Sequence, residues 1–264
     1  MQEMLQVLQK IIKNITLIKQ YRLLQIGTKK ILTSGDMTLT QEQKEITGTQ
    51  PKKAGGKMSK LFEIFEKHKC DKGPKHGYQK VYEQFFEPLK DEKINILEVG
   101  VHQGASFDAW HEYFPNAELY GIDLFVREKM RAVPAFKKDR VHFMKGDSTN
   151  PIIGPMVLEN FGKIKFDIII DDGMHTPKAN MQTYNNLLPF LKQGGQYFIE
   201  DVWPLEILTQ QEMGHPWIQQ HPDRYNTLDH EMFLGAIDRS KLKAQRFDLR
   251  KESKQPDSYI MRMT

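Results

Sequence analysis

FDIIIDDGMHTPKANMQTYNNLLPFLKQGGQYFIEDVW, residues 166–203, decides the architecture. It begins in KFDIIIDD, residues 165–172, whose centre is almost pure isoleucine, as expected of a strand covered on both faces. Residues 178–191 then place Met181, Tyr184, Leu187, Leu188 and Leu191 on one helical face, and GGQYFIED, residues 194–201, returns to strand. The two strands are sequential, so they are expected to be neighbours in one sheet.

Upstream the same alternation runs from Lys93. INILEVGV (94–101) reads as a buried strand, followed by a helical stretch through Phe107, Trp110 and Tyr113. AELYGID (117–123) and RVHFMKGD (140–147) are the next two strands. Downstream, KAQRFDLR (243–250) and DSYIMRMT (257–264) alternate in polarity and lie close enough to pair as an antiparallel hairpin. β/α units followed by a hairpin predict an α/β, Rossmann-like domain over residues 93–264. Its sheet should be mostly parallel and seven-stranded, with the hairpin as its antiparallel end.

Three segments precede that domain. Residues 1–32 hold an amphipathic helix, with Leu5, Leu8, Ile11, Ile12, Ile15, Ile18 and Leu24 on one face and Gly27 as a C-cap. Residues 33–57 are polar, hold four glycines, and read as a linker. Residues 58–92 form a helical lead-in, with short helices around Met58–Lys67 and Tyr78–Phe86.

Bulk properties exclude several classes. The net charge of +4 owes much to lysines and arginines in the first sixty residues, where a charge run is usually a solvated face. No basic stripe with interleaved aromatics adjoins the acidic motifs, so no nucleic-acid partner is expected. No stretch reaches the roughly 18 apolar residues of a membrane span. The N-terminus lacks the apolar core and cleavage site of a signal peptide. Cys70, the single cysteine, cannot form an internal bridge, which suits the cytoplasm.

Ligands of such sheets bind at the carboxyl ends of the strands. Every one of the five parallel strands ends in acid: Glu98, Asp123, Asp147, the pair Asp171 and Asp172, and the pair Glu200 and Asp201. The first loop, Glu98-Val99-Gly100-Val101-His102-Gln103-Gly104, is not G-x-G-x-x-G. Gly100 and Gly104 let the backbone turn and approach a ligand, while Glu98 disfavours a phosphate and suits a cationic amino-acid tail. Asp123 stands where an acid can accept ribose hydroxyls, and Gly146-Asp147-Ser148 where an adenine amino group is read. Taken singly, these acids also read as loop residues or helix caps. In series they describe an adenosyl pocket.

Asp171-Asp172-Gly173-Met174-His175 and Glu200-Asp201 bring several carboxylates to neighbouring strand ends. Crowded anions repel and favour protonation unless a cation joins them. Oxygen donors without cysteine favour Mg²⁺, with Mn²⁺ or Ca²⁺ as substitutes, over zinc. His175, three residues past Asp172, suits a general base at neutral pH.

ILEVGVHQGAS, ELYGIDLF, HFMKGDSTN and the 166–203 stretch together resemble the metal-dependent, class I sugar O-methyltransferases of the macrocin and mycinamicin type. CDKGPKHGYQKVYEQFFEPLKDEK, residues 70–93, is similar to that family's lead-in. The resemblance implies Asp172, Glu200 and Asp201 as Mg²⁺ ligands and His175 as the base. It implies Glu98, Gly100, Asp123, Asp147 and Asp171 around S-adenosyl-L-methionine, with Lys72 and Tyr78 over it. It also implies transfer of a methyl group to a hydroxyl of a sugar or glycosylated small molecule. Homo-oligomers contacting through the N-terminal helix fit the same resemblance, although the first sixty residues match no family pattern. Three other readings compete. A catechol-like small-diol methyltransferase would use Trp203, Pro204 and Trp217 as an aromatic slot, and those residues serve equally as a sugar platform. An inactive S-adenosylmethionine-binding module would keep the fold without the chemistry. An RNA methyltransferase would rest on the basic N-terminus alone.

Overall fold

The computed structural model describes residues 59–125, 134–214, 216 and 220–264. The amphipathic helix and the linker expected before residue 58 lie outside these residues, as do His215 and Trp217. The helices used below are α1 (Lys60–Lys67), α2 (Gln79–Phe86), α3 (Ala105–Tyr113), α4 (Ile153–Asn160), α5 (Pro177–Leu187) and α6 (Thr227–Ser240). The strands are β1 (Asn95–Val99), β2 (Glu118–Asp123), β3 (Val141–Lys145), β4 (Phe166–Asp171), β5 (Leu191–Ile199), β6 (Ala244–Asp248) and β7 (Tyr259–Met263).

They form one seven-stranded sheet in the order β3-β2-β1-β4-β5-β7-β6. β1 to β5 pair in parallel, and β7 runs antiparallel to both β5 and β6. This is the class I methyltransferase architecture expected from the sequence. The strand order reverses between β1 and β4, and such a switch point is where open α/β sheets bind their ligands.

Isoleucine fills β4 because both of its faces are buried. Ile168 and Ile170 point to the side holding Leu61, Phe65, Tyr82, Phe86 and Trp110, from α1, α2 and α3. Ile169 points to the other side, with Ile153, Val157, Tyr184, Leu187, Phe233 and Ile237 from α4, α5 and α6. The lead-in helices therefore share the domain's core rather than lying on its surface.

Local signals hold the ends. Ser59 caps α1 by accepting the Phe62 N–H at 3.1 Å, and Thr176 caps α5 by accepting that of Ala179 at 3.2 Å, with Pro177 next in the first turn. On the α1–α3 side the packing is aromatic. Tyr82 stacks on Phe86 at 4.7 Å and meets Trp110 and Phe198 at 5.4 and 5.3 Å between ring centres. Such pairs add about 0.5–1.5 kcal/mol each beyond the area they bury.

Candidate active site at the strand tips

Hydrogen bonding continues one residue past the strands. The Gly100 N–H donates to Ile122 O at 2.9 Å, the Asp172 N–H to Val99 O at 3.0 Å, and the Glu200 N–H to Asp171 O at 2.9 Å. Gly100, Asp172 and Glu200 are thereby fixed in one row. Gly100 has φ +85°, and a Cβ at that position would lie 1.9 Å from the Asp172 carbonyl oxygen. The approach that requires glycine here is that of a neighbouring strand's backbone.

Ligating atoms of Asp172, His175 and Asp201 lie within 4.8 Å of one another. His175 Nε2 is 3.6 Å from Asp172 Oδ1 and 4.0 Å from Asp201 Oδ2. His175 and Asp201 both adopt left-handed backbone, φ +54° and +51°. Non-glycine residues are held there only when the surroundings over-determine them, and such positions cluster at functional sites. Burial raises the Asp201 carboxyl above its ordinary pKa, against the pull of His175 and His76. Tyr78 reinforces this carboxylate. Its hydroxyl donates to Asp201 Oδ1 at 2.5 Å and accepts the Asp201 N–H at 3.2 Å.

Glu200 turns the other way. It is buried and accepts hydrogen bonds from Lys72 Nζ at 2.6 Å and from the Tyr82 hydroxyl. Lys72 Nζ also donates to Asp172 Oδ2 at 2.5 Å and lies 3.3 Å from Glu98 Oε1. Burial alone would lower the lysine's pKa; the carboxylates of Asp172, Glu200 and Glu98 reverse that and hold it well above its ordinary value. Burial likewise raises Glu200 and Glu98, with Lys72 opposing in both cases. Lys72 and Tyr78, expected over the methyl donor, are thus bound to the acidic centre. Of the three carboxylates expected to share an ion, Asp172 and Asp201 converge with His175, while Glu200 faces the ammonium.

The residues expected around S-adenosylmethionine line the same rim at different depths. Glu98 Oε2 accepts the Ser106 hydroxyl at 2.8 Å. Asp123 accepts the N–H of His102 and of Phe125, each at 2.8 Å, which ties the first loop to the tip of β2. Asp147 is exposed and accepts the N–H and hydroxyl of Thr149 in a local turn. Asp171 is buried, and burial pushes its pKa up to about 8.

Three contributors were missed from sequence. His76 is 3% exposed, with Nδ1 2.9 Å from Ser258 Oγ, 3.5 Å from Asp201 Oδ1 and 3.9 Å from Asp257 Oδ1. The signal for His76 was its place in the lead-in H-G-Y. Tyr82 follows Tyr78 by four residues, one helical turn, so both hydroxyls reach the same strand tips. Asp257, in the hairpin connection, gave no signal. Trp203 is 2% exposed and packs beside Tyr225 at 6.2 Å between rings, which makes it a buried wall and not an open stacking platform.

Residues 97–202 match the family described as "Methyltransferase domain". Over 151 residues the chain is 30% identical to the 8-demethyl-8-(2-methoxy-alpha-L-rhamnosyl)-tetracenomycin-C 3'-O-methyltransferase of Streptomyces olivaceus, covering 54% of this chain and 37% of that one. It is 27% identical over 157 residues to the Mycinamicin VI 2''-O-methyltransferase of Micromonospora griseorubida, covering 56% and 37%. The chain thus spans a little over a third of the length of these curated relatives. Among solved structures, the mycinamycin-pathway methyltransferase MycE in complex with Mg and SAH superposes with a TM-score of 0.56 at 20% identity, over 78% of this chain and 55% of that one. No described helix is long and apolar enough to cross a membrane. The chain therefore has the class I methyltransferase fold, with residues 97–202 matching a methyltransferase domain, and is similar in sequence to O-methyltransferases such as the tetracenomycin-C and mycinamicin enzymes.

Proposed function

We propose that the chain is an S-adenosylmethionine-dependent, divalent-metal-dependent O-methyltransferase acting on a hydroxyl of a sugar or glycosylated small molecule. The observation that carries this reading is the convergence of Asp172, His175 and Asp201 within 4.8 Å just past the ends of β4 and β5. Two carboxylates, one buried enough to have its pKa raised, beside a histidine whose Nδ1 is buried without a hydrogen-bond partner, form a donor set that fits Mg²⁺ or Mn²⁺. Asp172 and Asp201 would hold the ion, and Glu200 would complete the set.

When bound, the ion supplies Lewis acidity at the acceptor hydroxyl and S-adenosylmethionine supplies the methyl group. The chain's own residues do the rest. His175 Nε2 takes the hydroxyl proton, in a position set by Asp172 and by the short loop that Thr176 closes. Tyr78 fixes the Asp201 carboxylate. Glu98, Asp123 and Asp147 bind the donor's amino-acid tail, ribose and adenine, and the Gly100 turn keeps the donor side in register with Asp172. Placing both reactants in line is a large part of the rate. On this reading the protein acts in the cytoplasm, and the amphipathic segment expected in residues 1–32 is its subunit contact.

The test is a chelator experiment with a panel of glycosylated acceptors, nucleotide-sugars and small diols. EDTA should lower methyl transfer by roughly 100-fold or more, and Mg²⁺ should restore it. Turnover indifferent to the chelator would remove the ion from the reaction. Transfer to diols but to no sugar would replace the acceptor class.

A further inference from the structure

Lys72 Nζ sits 2.5 Å from Asp172 Oδ2 and 2.6 Å from Glu200 Oε2, buried at 2% exposure. An ammonium at hydrogen-bond distance from two carboxylates neutralises part of their charge, and it holds the Glu200 oxygen that would otherwise turn toward a divalent ion at Asp172 and Asp201. Charges of +1 and +2 a few ångströms apart in a buried setting repel strongly. Glu98 offers the lysine another position. Its Oε1 is buried, accepts no hydrogen bond, and is already 3.3 Å from Nζ.

We propose that Lys72 is an internal competitor of the divalent ion, holding Glu200 until the ion binds and then retreating to Glu98. The inference rests on the metal-dependent reading above and adds to it a positioning residue that sets the ion's affinity. Asp172 and Asp201 take the ion first, since their facing oxygens, Oδ1 and Oδ2, are not engaged by Lys72. Glu200 joins only as its bond to Nζ breaks. Tyr82 keeps its hydrogen bond to the other oxygen of Glu200, so the carboxylate pivots about a fixed point. The swap also links the end of β5 to that of β1, because the lysine's new partner is Glu98.

The test is Mn²⁺ binding, followed by electron paramagnetic resonance of free Mn²⁺, in the native protein and in Lys72→Met. Removing the competitor should tighten Mn²⁺ binding at least about tenfold, a modest factor beside the interaction of unit charges at this separation. Adding Glu200→Gln should cost more affinity in the Lys72→Met background than in the native one. Unchanged or weaker binding by Lys72→Met, with Mn²⁺ still bound by the native protein, would overturn the competition and leave the metal reading intact. Failure of both proteins to bind Mn²⁺ would overturn the two together. Should Lys72→Met not fold, a crystal structure of the native protein with Mn²⁺ decides. Nζ should stand within about 3 Å of Glu98 and beyond about 4 Å from Glu200. Nζ still hydrogen-bonded to Glu200 beside a bound ion would refute the swap.

Discussion

Gly100→Ala should lower the melting temperature by roughly 6–12 °C and abolish Mn²⁺ binding at the strand tips. Two penalties combine. A left-handed backbone costs alanine about 1 kcal/mol, and forcing an atom into packed structure costs about 1–3 kcal/mol more. The second penalty is severe here because the added Cβ would lie 1.9 Å from the Asp172 carbonyl oxygen, and a backbone carbonyl cannot swing aside as a side chain can. Relief requires β1 and β4 to part at the residue that carries the carboxylate. Gly162 gives the control. It has φ +82°, and a Cβ there would meet nothing within 4 Å, so Gly162→Ala should show the backbone penalty alone. Equal losses in the two variants, measured by calorimetry, would show that contact with Asp172 does not constrain Gly100.

His175→Ala should reduce kcat by about 10²–10⁴ while S-adenosylmethionine still raises the melting temperature. Stability should change little. The imidazole is only partly buried, its Nδ1 has no hydrogen-bond partner, and alanine inherits the same left-handed backbone without a new strain. A drop in turnover would then report the lost proton acceptor and not a collapsed loop. Single-turnover rates at saturating donor and acceptor make the measurement, with donor binding followed separately. A rate within about threefold of the native one would leave the proton to another base.

The fold was legible because β4 and its flanking units announce themselves. Isoleucine on both faces of one strand leaves no position for it but the middle of a covered sheet, and the alternating C-terminal segments can only close an edge. The acidic row was legible for a related reason: a strand's last residue is known once the strand is known. What sequence left open was direction. Asp201 and Glu200 are adjacent in the chain, yet the left-handed turn at Asp201 sends one carboxylate toward His175 and the other toward Lys72. No spacing rule encodes that. The resemblance places Lys72 over the methyl donor, and the structure buries it among three carboxylates that no sequence pattern brings together. Asp257 stayed hidden because its closeness to His76 depends on where β7 enters the sheet.

The aromatic packing of α2 carries one more consequence. Tyr82 shares its ring with Phe86, Trp110 and Phe198, and its hydroxyl holds Glu200 at the tip of β5. Residues 59–92 are therefore a built-in strut between hydrophobic interior and acidic edge, and a chimera designed to exchange acceptor preference should be joined ahead of Ser59. A junction at Lys93 would cut that strut and leave an intact sheet whose acids had lost their support.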